Sequence, residues 1–169
     1  TTKKKKVIQI ESGILHVSFV DSMHILILGD GPDYQLTLWS TGTSSSLPVS
    51  PGTRHPRHPG GCLASIKLAT PSGKTIYRAE VSPTKDNAGN SLICVTGDGV
   101  LRLLRLSITN STFRPATVNL KRKQQNYISQ LWLSSGQIAL GTDTGDILII
   151  ENNATQAVLK LPEPHTVVT

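Results

Sequence analysis

At 169 residues the chain has the length of one domain or of part of a larger one, and its 37% apolar content is enough to bury a core. Its longest apolar runs, Ile25 to Leu28 and Ile147 to Ile150, are strand-sized and far too short to cross a bilayer, and no signal-peptide pattern opens the chain, so a membrane partner is set aside. A formal charge of +6 favours polyanionic partners, but aromatics make up only 4% and do not interleave with the basic residues, which argues against nucleic acid.

The opening "TTKKKK" reads as the interior of a longer protein, and Lys6 to Ile10 as the last strand of a preceding unit. Three repeats of one pattern follow. In the first, Ile14 to Phe19 and Ile25 to Leu28 are strands, "GDGPDY" turns the chain, and Gln35 to Trp39 and Cys62 to Leu68 complete the unit. The second unit has Ile76 to Val81, Ser91 to Val95, the turn "TGDG", Val100 to Arg105 and Pro115 to Leu120. The third has Ile128 to Leu133, Gln137 to Leu140, the turn "GTDTG", Ile147 to Ile150 and Ala157 to Leu161, after which "HTVVT" looks like the start of another unit.

Each segment is short, rich in Val, Ile and Leu, and bounded by Gly, Asp, Asn, Ser or Pro, as hairpin-linked strands are. The hairpins should turn at Gly29–Gly31, Gly97–Gly99 and Thr142–Gly145. No window offers the i, i+3, i+4, i+7 apolar spacing of a helix. Four antiparallel strands per unit, repeating at roughly 40 to 60 residues, is the pattern of a WD-type β-propeller. The expected fold is therefore all-β: a section of a WD-repeat β-propeller of about three four-stranded antiparallel blades. The whole of 1–169 is one propeller section within a longer chain, with blades at roughly 11–68, 75–120 and 127–161. A Ser/Pro/Gly/His-rich insertion occupies 41–61, and "TKDNAGN" at 84–90 is a second, smaller one. Phe19, Leu38, Val81, Leu103, Leu133 and Leu148 are the expected core.

The match to WD repeats is partial. Trp39 stands at the tryptophan position with Ser40 in place of Asp, Leu104 and Ile150 occupy the equivalent places, and no Gly-His dipeptide precedes a unit. The buried His-Asp-Ser-Trp network should be incomplete, leaving apolar burial and ladder hydrogen bonds to hold the blades.

No catalytic arrangement is legible. His16 and His24 lie on or beside strands, His165 lies near the end, and His55 with His58 sits in "RHPRHP", where Arg54 and Arg57 repel a cation. Gly29-Asp30-Gly31 and Gly97-Asp98-Gly99 are not phosphate loops, since no helix and no Lys-Ser/Thr follows. The acids at Asp143 to Asp146 are more simply a hairpin turn than a calcium loop. Cys62 and Cys94 read as free thiols of a reducing compartment. The reading is a non-enzyme with no metal, no cofactor and no small-molecule substrate.

The stretches "SLICVTGDGVLRLLRL" at 91–106 and "QQNYISQLWLSSGQIALGTDTGDILIIE" at 124–151 resemble the cilia- and flagella-associated WD-repeat proteins, axonemal proteins linked to the inner dynein arms. Tyr127 and Trp132 are part of that similarity, and "GDGPDYQLTLW" at 29–39 is similar to a hairpin of the same family. The resemblance implies a cytoplasmic, cytoskeletal protein of the cilium or flagellum axoneme, with N-terminal propellers followed by a coiled coil. Such a protein would be a structural scaffold that helps anchor or regulate inner-arm dyneins and so supports cilium motility. Its partners would be inner-arm dynein subunits, doublet-associated proteins and the acidic tails of tubulin. The alternative is a WD-repeat scaffold in a nucleic-acid-associated, RNA-processing complex. In either case the basic residues in insertions and at strand ends, Arg54, Arg57, Lys121, Arg122 and Lys123, are the candidate partner-binding residues.

Overall fold

The computed structural model describes residues 12–41, 61–71, 73–120 and 122–160, and among these every regular element is a β-strand. The twelve strands form three four-stranded sheets, each an antiparallel meander taken in chain order. The first contains β1 (Ile14–Asp21), β2 (His24–Gly29), β3 (Gln35–Ser40) and β4 (Cys62–Lys67). The second contains β5 (Ile76–Lys85), β6 (Ser91–Gly97), β7 (Val100–Ser107) and β8 (Thr112–Ala116). The third contains β9 (Tyr127–Trp132), β10 (Ile138–Thr142), β11 (Asp146–Glu151) and β12 (Ala154–Lys160).

The sheets pack face to face in sequence, with β1 beside β5 and β5 beside β9. Consecutive four-stranded meanders stacked in this way are propeller blades, so the architecture is a section of a β-propeller. The period-2 alternation of a strand explains the composition of the middle sheet. Ile93, Val95, Leu104 and Leu106 join Leu26, Leu28, Leu36 and Leu38 in a core between the first and second sheets. Their neighbours Cys94, Leu101 and Leu103 point the other way, into a core with Tyr127, Ile138, Leu140, Leu148 and Ile150 of the third sheet. A sheet covered on both faces needs apolar residues at successive positions, as in "LICV" at 92–95 and in Leu103 with Leu104, where a half-solvated sheet would alternate with polar residues.

The hairpins turn at the anticipated glycines. Gly97 pairs with Val100, so Asp98 and Gly99 alone make the β6–β7 connection, and Gly99 takes a φ of +59°. Gly97 has a different reason to be glycine: a Cβ there would collide with the Thr75 carbonyl oxygen and lie 2.9 Å from the Ile76 Cα. At the β10–β11 turn the Thr142 hydroxyl accepts from the Asp146 amide and donates to the Asp146 carbonyl, each at 3.0 Å. The 84–90 stretch is an organised turn: Asp86 Oδ1 accepts from the amides of Ala88 at 3.0 Å and Asn90 at 2.9 Å.

Several expectations need correction. Of the anticipated core, Leu38, Leu103 and Leu148 are buried, whereas Val81 and Leu133 are only half-buried. Phe19 is 77% exposed. It lies opposite Ile25 on the outward face of the first sheet, and Val20 is the β1 residue that packs against the core. The fourth strand of the second sheet is Thr112–Ala116 instead of Pro115 to Leu120. Phe113 pairs with Leu106 and Pro115 with Leu104, an edge position that tolerates a residue without an N–H. Residues 117–120 then cross to the third sheet, where the Asn119 amide donates to the Asn153 carbonyl at 2.8 Å and Val118 and Leu120 pack into the second core. Lys6 to Ile10 and "HTVVT" lie outside the described residues, as does nearly all of the 41–61 insertion.

Candidate protein-interaction surface

Of the five basic residues anticipated at a partner surface, Arg54, Arg57 and Lys121 lie outside the described residues. The other two separate. Lys123 is exposed, and no ion pair holds it among the described residues. Arg122 is engaged: its Nη1 lies 3.1 Å from Asp146 Oδ2, with side chains 36% and 10% exposed respectively. Asp146 opens β11 and is tied through its backbone to Thr142, so Arg122 neutralises a carboxylate that the hairpin holds below the surface.

The other chemically notable residues serve the sheets. Trp39 is buried and donates from Nε1 to the Thr37 hydroxyl at 2.9 Å, which in turn donates to the Ile27 carbonyl at 3.3 Å. Trp132 donates to the Glu80 carbonyl at 3.2 Å and so ties the third sheet to the second, while Tyr127 is fully buried between them. Gln130, also buried, donates to the Cys94 carbonyl at 3.3 Å. His24 Nδ1 lies 2.9 Å from Asp21 Oδ1. Burial pushes the His16 imidazole below its ordinary pKa, with nearby Glu80 opposing and Arg78 adding to the shift. Cys62 and Cys94 are free thiols, and full burial pushes Cys94 far above the usual thiol range. His55, His58 and His165 lie outside the described residues. Among the described residues no three His, Cys, Asp or Glu side chains gather where a metal could be held.

Two adjoining cavities mark one end of the second sheet, and neither was anticipated. The first, of about 380 Å³, opens between the second and third sheets. Its lining is mainly polar and includes Leu92, Leu103, Ile138 and Ile150 together with the charged Lys85, Arg105 and Glu151. The second, of about 590 Å³, runs on across β7 and β8 past Arg105, Ser107, Thr112 and Arg114. Asp86 and Arg105 line both, so the two form one continuous groove. Arg105 and Arg114 are direct register partners across β7 and β8, an arrangement in which like charges repel. Arg105 Nε lies 3.7 Å from Asp86 Oδ2, both side chains being well exposed. Hydrogen bonds from the Asn90 amide and side chain hold the Asp86 carboxyl below the usual carboxylate range.

No family model matches the chain. Over 91 residues it is 33% identical to mouse "Cilia- and flagella-associated protein 57", a match covering 53% of this chain and 7% of that protein. The chain thus spans a small fraction of its curated relative, and over those residues it is similar to a cilia- and flagella-associated protein. Among solved structures, the crystal structure of Kluyvelomyces marxianus Hsv2 matches 92% of this chain and 56% of that one, at a TM-score of 0.39 and 9% identity. That likeness is too slight to bear on function.

Proposed function

We propose that this chain is part of a structural scaffold of the motile axoneme, a WD-repeat propeller section that helps anchor or regulate inner-arm dyneins through protein–protein contacts. The 33% identity to a cilia- and flagella-associated protein carries this reading. The fold supports it, because stacked sheets give a rigid body whose loops and edges are free to bind partners. On this reading the protein is a longer chain, resides in the cytoplasm on doublet microtubules of the cilium or flagellum, and acts by binding without catalysis. Its partners are inner-arm dynein subunits and doublet-associated proteins, with the acidic tails of tubulin as a further candidate. Arg54, Arg57, Lys121 and Lys123 are proposed as solvent-facing partner contacts, with Arg122 held back by its pairing to Asp146.

The test is to tag the endogenous protein in a ciliated cell, strip the membrane with detergent, and ask whether the tag stays with the axoneme. Deletion should then reduce inner-arm dynein density on the doublets and impair beating. A tag released with the soluble fraction, or normal inner arms after deletion, would overturn the proposal.

A further inference from the structure

We infer that the groove across the end of the second sheet is a docking site for an acidic peptide, its carboxylates meeting Arg105 and Arg114. This names a partner chemistry for the scaffold and rests on the reading of the chain as a protein-binding body, though not on its place in the cilium.

Three observations converge. The first is the unfavourable register. Arg105 and Arg114 face each other directly on β7 and β8, and among the described residues Arg114 has no ion-pair partner. Like charges on directly opposed residues repel, and a carboxylate that bridges them relieves the repulsion. Functional positions are among the places where a fold departs from local consistency in this way.

The second is that the nearby acid answers the charge only in part. Asp86 accepts from the amides of Ala88 and Asn90 and from the Asn90 side chain, so its oxygens are committed to their own turn. Its approach to Arg105 is a 3.7 Å contact at Nε alone. The two Nη nitrogens of Arg105 make no hydrogen bond among the described residues. Glu151 and Lys85, on the rim of the first cavity, offset each other in charge.

The third is the neighbouring cleft. Its exposed lining is mainly polar, its volume of about 380 Å³ gives room for a stretch of peptide, and Arg105 is part of its wall. Two adjoining cavities that share Arg105 fit an extended acidic peptide, whose successive carboxylates can reach both arginines. A single small anion would fill only a small part of that space.

The test measures binding of a fluorescein-labelled Glu-Glu-Leu-Glu-Glu peptide to the full chain by anisotropy, beside its Gln-Gln-Leu-Gln-Gln counterpart. The acidic peptide should bind, the neutral one should not, and raising salt well above about 0.15 M should weaken the complex. Replacing both arginines (Arg105→Gln with Arg114→Gln) should weaken binding about ten-fold or more, as the loss of two charge-assisted contacts does. Lys160→Gln, at an exposed residue that lines neither cavity, should change nothing. Because relief of repulsion should leave the melting temperature unchanged or raised, a fall in it would shift the decision to Arg114→Gln alone, an exposed edge-strand change. Equal binding of the two peptides, or equal binding by wild type and variant, would overturn the inference. So would displacement of the peptide by inorganic phosphate at low millimolar concentration, which would identify an anion site. None of these results alters retention on axonemes, so failure here is separable from failure of the scaffold reading.

Discussion

Leu148→Ala measures how firmly the third sheet is held against the second. Leu148 is fully buried on β11, opposite Leu140 on β10 and Val158 on β12, and belongs to the core shared with Leu101, Leu103 and Tyr127. The substitution removes three carbon groups, a transfer loss of about 2.4 kcal/mol at ~0.8 kcal/mol per group. Ladder hydrogen bonds on both sides of β11 prevent the backbone from collapsing into the space. A residual cavity of about 50 Å³ then adds roughly 1.2 kcal/mol, giving a total of about 3 to 4 kcal/mol. Urea denaturation should show this as a lower midpoint with an unchanged slope. Leu159→Ala, at a residue 54% exposed on the outward face of the same sheet, should cost under about 1 kcal/mol. A double-mutant cycle sharpens the geometry. Leu103 shares the Leu148 core and Leu104, its chain neighbour, does not. Leu103→Ala should therefore couple to Leu148→Ala, while Leu104→Ala should add to it within about 0.5 kcal/mol. A loss below about 1 kcal/mol at Leu148, or equal coupling to both leucines, would refute the two-core arrangement.

Gly97→Ala should destabilise by about 1 to 3 kcal/mol or more, because the atoms in its way are backbone atoms of Thr75 and Ile76 and cannot rotate aside; a thermal melt within a degree of wild type would contradict that. His16 prefers its neutral form when folded, so its contribution is intact above its ordinary value of 6.5 and is lost as pH falls from there through its lower folded value. The fall in melting temperature between neutral pH and mildly acidic pH should accordingly be smaller in His16→Gln than in wild type, and identical falls would exclude the effect. Arg122→Gln should cost about 1 to 2 kcal/mol by leaving the nearly buried Asp146 unpaired, a value discounted for the partial exposure of the arginine. Lys123→Gln should stay within about 0.5 kcal/mol, and an equal response at the two positions would show that the Asp146 pair contributes nothing.

The strands nearest the hairpin turns were legible because two signals agreed there. Glycines mark the turns, and the apolar runs beside them have the length of strands. The fourth strand of the second sheet was misplaced because it is an edge, where pairing on one side only leaves composition weakly constrained. The run Thr117 to Leu120 has the alternation of a strand, yet its Val118 and Leu120 serve the seam with the third sheet. Phe19 misled for a related reason. Alternation says that one face of β1 is apolar, but it cannot say which side of the sheet holds the neighbouring blade, and here His16, Ser18 and Val20 alternate with the exposed Leu15, Val17 and Phe19.

The charged residues show the same limit in sharper form. Counting basic residues along the chain singles out runs such as Lys121 to Lys123, yet one member of that run neutralises an acid at the start of β11. Arg105 and Arg114 belong to no run; they meet because the β7–β8 turn has the length that sets them in register. Side chains alternate faces along a strand, so one residue more or fewer in the Ile108–Ser111 turn would send Arg114 to the opposite face and dissolve the pair. The charge density of the groove is thus encoded in the length of a turn that carries no charge itself, and only the folded register brings it into view.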